Sequence, residues 1–260
     1  MSVAATDARR VAEARRWFRR QGYAAVERNG VTVVATPAHP ATWDGNFVAA
    51  GPGVEPDAVL AALDQAFRHS AWRVVQTDRL TEPAVEAALA LTGFGVENTL
   101  IEMAASKVES PHPLPAITLQ PVGTAEWKAL AALVDADMRE GKRTGEHDGA
   151  VAAGLLDGMR RRMGPCRYWL LHGDAGPLGY GMTARCPNGL GLIENLFTLP
   201  EHRGRGVMSA FIVEAARWLL AEDCDAVFLD AHAHDRPKRL YASLGFRPVS
   251  LTRTWVRRAG

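Results

Sequence analysis

An α/β fold made of two related lobes is what this 260-residue sequence predicts, and three observations predict it. Strand-like and helix-like segments alternate along the chain, a proline-rich stretch divides it, and the order of elements before that stretch is echoed after it. Hydrophobic residues make up 47% and charged residues 23%. That balance excludes disorder, collagen and coiled coil, and the length allows two cores.

The first element is a helix whose apolar stripe, Val11, Ala14, Trp17 and Phe18, lies at helical spacing. The six arginines among the first 20 residues, Arg9, Arg10, Arg15, Arg16, Arg19 and Arg20, have the composition of a transit peptide, but the stripe argues for a docked surface helix. Asp44-Gly45-Asn46-Phe47 then leads a strand, followed by a helix over 56–67, a strand over 72–77, a helix over 82–91 and Gly93-Phe94. From residue 106 to 115 the Ser-Pro-His-Pro-Leu-Pro run forbids helix or sheet, so the lobes are placed at 1–110 and 116–260. Beyond it come a strand at 117–121, helices at 125–140 and 148–163, and strands at 167–172, 178–185 and 190–199. A helix starting near Gly206, a strand at 226–233, a short helix at 237–244 and a strand at 247–255 complete the order. Val207, Ala210, Phe211, Ala215, Trp218 and Leu219 put one apolar face on the helix after Gly206. The echo pairs Asn46 and Phe94, 48 positions apart, with Asn195 and Phe246, 51 apart, which suggests duplication of one fold.

Thirty basic against 29 acidic residues give a formal charge of +1, which provides no global field for nucleic acid or an anionic membrane. No apolar run is long enough to span a bilayer. Cys166, Cys186 and Cys224 are far apart, without a C-x-x-C pair, and read as reduced thiols of a cytoplasmic protein.

Chemistry concentrates in Leu199-Pro200-Glu201-His202-Arg203-Gly204-Arg205-Gly206-Val207-Met208-Ser209, between a strand and the helix. Glycines bring backbone amides close to a ligand, the helix terminus adds its positive dipole end, and two arginines add charge, so a pyrophosphate is the natural guest. Asp230, His232 and His234 alternate along the strand at 226–233 and so share a face, which lines the acceptor or cofactor edge; no metal is expected. Glu146, His147 and Asp148, between the two long helices, read as amine-binding groups or as a solvated helix cap.

The segment 203–208 resembles the phosphate loop of the GNAT superfamily of acyl-CoA-dependent N-acetyltransferases, Arg/Gln-x-x-Gly-x-Gly/Ala, departing from it at Met208. Lys238-Arg239-Leu240-Tyr241-Ala242-Ser243-Leu244-Gly245-Phe246 is similar to that family's Leu-Tyr-x-x-Leu-Gly-Phe segment, with His234 where an asparagine is usual. The resemblance covers residues 117–255 and implies a central mixed sheet splayed between two strands, flanked by helices and here duplicated in two lobes. It implies that acetyl-CoA is the co-substrate, with Leu196, Phe197 and Thr198 presenting their backbone to pantetheine. The amides of Arg205, Gly206, Val207, Met208 and Ser209 would cradle the pyrophosphate beside Gly204, with Arg203 and Arg205 near the phosphates. Tyr241 would be the general acid toward the departing thiolate. Glu194 is the candidate base, directly or through a water, and burial would raise its carboxyl; the alternatives for a strand carboxylate are to anchor a neighbouring loop or to bind the substrate amine. The acceptor expected is a small-molecule primary amine, and a homodimer is compatible with this reading. In the amino-terminal lobe Gly51-Pro52-Gly53 lacks the basic residues, and Glu55 and Asp57 bring negative charge, so that lobe reads as degenerate.

Overall fold

In the computed structural model, which describes residues 8–140, 149–174 and 176–259, one mixed sheet of eleven strands runs through both halves of the chain. The amino-terminal half supplies α1 (Ala8–Arg20), β1 (Ala25–Arg28), β2 (Val31–Val34), β3 (Phe47–Ala50), α2 (Pro56–Ala66), β4 (Trp72–Thr77), α3 (Pro83–Leu91) and β5 (Gly95–Ala105). The carboxy-terminal half supplies β6 (Thr118–Pro121), α4 (Trp127–Glu140), α5 (Gly149–Arg161), β7 (Cys166–Gly173), β8 (Gly176–Arg185) and β9 (Leu190–Thr198). It continues with α6 (Val207–Ala221), β10 (Ala226–His232), α7 (Pro237–Ser243) and β11 (Arg247–Arg258).

The strand order is β1-β2-β3-β4-β11-β5-β10-β9-β8-β7-β6. The halves therefore exchange their last strands: β5 leaves its own half to pair with β10, and β11 crosses to pair with β4. Outward from the central β11–β5 pair, each side repeats an antiparallel neighbour and then a parallel one, β4 and β3 on one side, β10 and β9 on the other. The duplication lies in this order of strands. Gly93-Phe94 and Gly245-Phe246 both enter a last strand, but Asn46 stands before β3 whereas Asn195 lies near the end of β9, so that part of the echo does not superpose. Asn46 instead pins its loop, accepting from the Thr36 N–H at 2.9 Å and donating to the His39 and Thr42 carbonyls.

The exchange fills both cores. Trp255 of β11 packs among Val48, Leu63, Phe67 and Leu89, and its indole N–H donates to Thr77 Oγ1 at 3.0 Å. Met103 and Ala105 of β5 pack with Phe211, Ile212 and Phe246 on the α6 face of the other half. Val11, Ala14 and Phe18 of α1 are buried against Leu130, Tyr168 and Phe228 on the opposite face, as the stripe predicts. Burying a side chain the size of Val11 or Phe18 is worth roughly 1.5–3 kcal/mol, which favours docking this face of the helix.

The proline-rich segment between β5 and β6 is irregular but docked. Glu109 N–H donates to the Leu244 carbonyl at 3.1 Å, the Lys107 carbonyl lies 2.9 Å from where a side chain on Gly245 would begin, and the Pro115 ring lies 3.1 Å from the same point on Gly206. The hairpin β1–β2 adds two strands that the hydrophobic pattern does not announce. Among the described residues no helix is long and apolar enough to cross a membrane, and the three cysteines are buried free thiols.

Candidate functional site

The parallel pairing of β9 with β10 matches Leu190, Gly191 and Leu192 to Ala226, Val227 and Phe228 and goes no further. β10 stays paired on its other side to β5 through His232, and β9 to β8 through Thr198. Beyond Leu192 and Phe228 the two strands part. Next to the opening β9 is bulged: the β8–β9 register shifts between Tyr180 and Met182, and Asn195 takes a positive φ of 54°. A bulge re-aims the residues around it, here Glu194, Asn195 and Leu196. The backbone of Leu196, Phe197 and Thr198 thus borders the split, an edge to which an extended amide-bearing chain can add.

Between the end of β9 and α6, Gly204 and Gly206 hold φ of 72° and 79°, a left-handed conformation that favours glycine. Gly206 is the residue before α6, so the first-turn amides of Val207, Met208 and Ser209 have no acceptor within the helix. Met208 directs its side chain to the apolar face shared with Phe211 and Val207, leaving its amide at the turn. Arg205 is exposed beside this turn. Arg203 turns away from it: its Nε donates to the Thr198 carbonyl at 2.9 Å, and its two terminal nitrogens grip the Glu140 carboxylate. Arg203, expected near the phosphates, thus has its fork matched by an exposed carboxylate in this structure.

Where the strands part, one guanidinium meets three carboxylates. Arg15 of α1, buried to 2%, pairs with Glu102 of β5 at 3.2 Å, with Asp230 of β10 at 2.6 Å, and with Glu194 of β9. Its guanidinium also lies 5.4 Å from the Phe228 ring centre. Burial opposes the Arg15 charge, but Glu194, Asp230 and Glu102 together outweigh it and raise the Arg15 pKa. Burial raises the Glu194 carboxyl above its ordinary range, while Arg15 pulls it back. Glu102 is raised for the same reason and is held by Arg15 and the Thr252 hydroxyl, which donates at 2.9 Å. Among the three, Glu194 retains 20% exposure, Asp230 14% and Glu102 none, so a solvent or substrate molecule reaches Glu194 most readily.

Tyr241 of α7 is buried on the opposite face of the sheet, its ring 6.4 Å from that of Phe246. Burial, reinforced by Asp230 and Glu194, pushes its phenol well above the ordinary tyrosine value, so it keeps its proton at neutral pH. The strand bearing Asp230 and His232 ends at His232; Ala233 N–H still reaches the Thr99 carbonyl, but Asp235 N–H closes a turn onto His232. His234 is therefore an exposed turn residue and does not share their face, a correction that follows from the turn into α7. His232 Nδ1 lies 2.6 Å from Asn98 Oδ1. Glu146, His147 and Asp148 lie outside the described residues.

Sequence reasoning missed Arg15 and Glu102. The signal was present: Arg15 falls inside the apolar stripe, four residues after Val11 and three before Phe18, and Glu102 interrupts an apolar run before Met103-Ala104-Ala105. A charge at a core position requires partners.

Residues 127–246 match the Acetyltransferase (GNAT) family. Among solved structures, a GCN5-related N-acetyltransferase from Kribbella flavida is similar over 98% of both chains, at 17% identity and a TM-score of 0.71. A functionally unknown conserved protein from Staphylococcus epidermidis covers 90% of this chain and 93% of its own, at 12% identity and a TM-score of 0.68. A tandem GNAT protein from the clavulanic acid biosynthesis pathway covers 78% of this chain and 70% of its own, at 14% identity and a TM-score of 0.54. No curated protein sequence matches the chain significantly.

Proposed function

Since residues 127–246 form a member of the GNAT acetyltransferase family, we propose that the chain transfers an acetyl group from acetyl-CoA to a primary amine of a small molecule. The observation that carries this reading is the interrupted β9–β10 pairing, which opens the Leu196–Thr198 backbone on the strand that leads into the left-handed turn before α6. Leu196, Phe197 and Thr198 would hold the pantetheine arm by backbone hydrogen bonds. The amides of Arg205, Gly206, Val207, Met208 and Ser209 would receive the pyrophosphate, with the Arg205 side chain adding charge. The thioester supplies an activated acyl carbon and a thiolate leaving group. Glu194 accepts the amine's proton, directly or through water, and so keeps the amine nucleophilic. Tyr241, protonated at neutral pH, supplies a proton to the departing sulfur.

A second reading, an acyl-CoA-binding protein without turnover, is favoured by one observation: the Glu194 carboxylate is already engaged by Arg15. Calorimetric titration with acetyl-CoA, repeated for Gly206→Asp, tests the cofactor site. Binding that weakens about 100-fold or more in the variant supports it, since a carboxylate there repels phosphate. Absence of binding by the native protein overturns both readings. Thiol release across a panel of amines then separates the enzyme from the binding protein.

A further inference from the structure

A cleft in the amino-terminal half takes no part in the chemistry proposed above. Arg15, Arg16, Arg19 and Arg20 of α1 form one wall, and Gln76 and Thr252 stand on the sheet opposite; its empty volume, open mouth included, is about 350 Å³. Three of the four cations have carboxylate partners. Arg15 holds its three, Arg16 grips Asp78 through two bonds of 2.6 and 2.7 Å, and Arg20 pairs with Glu27 at 2.7 Å. Arg19 is different. Its Nη1 is buried and has no hydrogen-bond partner among the described residues. Burial, then repulsion from Arg15, pulls its ionisation below the ordinary arginine value, against the attraction of Asp44, Asp230 and Glu102. The surplus negative charge around Arg15 balances Arg19 at a distance, but it places no oxygen on Nη1. A buried charged donor left unmatched is costly, and the guanidinium fork is shaped for a carboxylate.

We propose that this cleft is a carboxylate-binding site, with the Arg19 guanidinium as its cation and the Gln76 side-chain amide as a second donor. The narrow space suits one small carboxylate, either free or as the terminal group of a larger molecule reaching through the mouth. Arg15 and Thr252 line the cleft and also bind the carboxylate cluster, Thr252 through Glu102 and Arg15 through all three, so an amine-bearing acceptor with a carboxylate would have its anion fixed one helical turn from Arg15, the direct partner of the candidate base. That acceptor version rests on the transferase reading; the anion site itself does not.

The test titrates ¹³C-labelled formate, followed by NMR, into the native protein, Arg19→Gln and Arg19→Lys, with acetyl-CoA affinity measured on the same preparations. Saturable formate binding is expected, weakened about ten-fold or more by Arg19→Gln and largely restored by Arg19→Lys, with acetyl-CoA affinity unchanged throughout. No saturable binding by the native protein, or equal binding by Arg19→Gln, overturns the site. Turnover of glycine against glycinamide separates the sources. A preference for glycine that Arg19→Gln abolishes assigns the carboxylate to the acceptor, and equal turnover beside intact formate binding assigns it to a free anion; both results uphold the site. Failure of acetyl-CoA to bind would remove the transferase reading and leave the formate result untouched.

Discussion

The two halves solve the same turn with opposite chemistry. In the carboxy-terminal half, β9 runs through two left-handed glycines into α6, with no acidic residue in the first helical turn. In the amino-terminal half, β3 runs through Gly51-Pro52-Gly53 into α2, but the Gly53 N–H donates to the Glu82 carboxylate at 3.0 Å, and Glu55 and Asp57 flank the helix start. One helix terminus has no acidic residue in its first turn to offset its positive end, and the other is neutralised by carboxylates of its own chain. A second contrast lies at the turn into the last strand of each half. Phe94 N–H donates to the Leu89 carbonyl at 3.0 Å and Phe246 N–H to that of Tyr241 at 3.1 Å, so Leu89 occupies in one half the place that Tyr241 holds in the other. A shared backbone carries chemistry only where side chains leave it uncovered or add a titratable group.

The largest effect expected is at the glycine turns. Gly206→Asp abolishes measurable acetyl-CoA binding by calorimetry, whereas Gly53→Asp, made at the turn already neutralised, leaves it unchanged; a loss in both would break the comparison. Next is the buried guanidinium. Arg15→Met strands three carboxylates and costs about 3–5 kcal/mol in urea unfolding at pH 7, while Arg16→Met, which leaves Asp78 still accepting from the Leu80 N–H, costs about 1–3 kcal/mol. The sign of the pH response follows from the raised carboxyls of Glu102 and Glu194. Without the cation they hold protons in the folded state that the unfolded chain releases, so the Arg15→Met deficit shrinks as pH falls from 7 toward 5 and grows as it rises.

A smaller effect is expected at the chemical step. Tyr241→Phe lowers kcat about 100-fold without changing acetyl-CoA affinity, and the loss is uniform between pH 6 and 9 because the native phenol does not titrate there. A pH-dependent loss in that window would sharpen the assignment away from Tyr241. The smallest effect is at Arg203, whose fork Glu140 and the Thr198 carbonyl already occupy: Arg203→Gln changes acetyl-CoA affinity by less than about threefold, and Arg205→Gln changes it more.

Most of the carboxy-terminal fold was legible because apolar spacing and glycine turns are local signals: the apolar face of α6, its start beside Gly206 and the Gly245-Phe246 corner all read directly from the chain. The partnership of Arg15 with Glu102, Glu194 and Asp230 was not. It joins residues 87, 179 and 215 positions apart, and long-range ion pairs leave only the trace of a charge at an apolar position. The capture of Arg203 by Glu140 was hidden for the same reason. The strand exchange was illegible because β5 and β11 would satisfy the same alternation in either half; only the reciprocal packing of Trp255 and Met103 decides between them.

The exchange also sets a timetable for synthesis. β11 lies at the middle of the sheet, yet residues 247–258 emerge from the ribosome after every other strand described here. Until then β4 and β5 each present an open edge, and the Trp255 place in the amino-terminal core stays empty, so the nascent first half waits as an unfinished sheet instead of folding ahead of the second. A ribosome stalled before residue 247 would therefore carry a protease-sensitive chain, and release of the final strand would close both halves in one cooperative step.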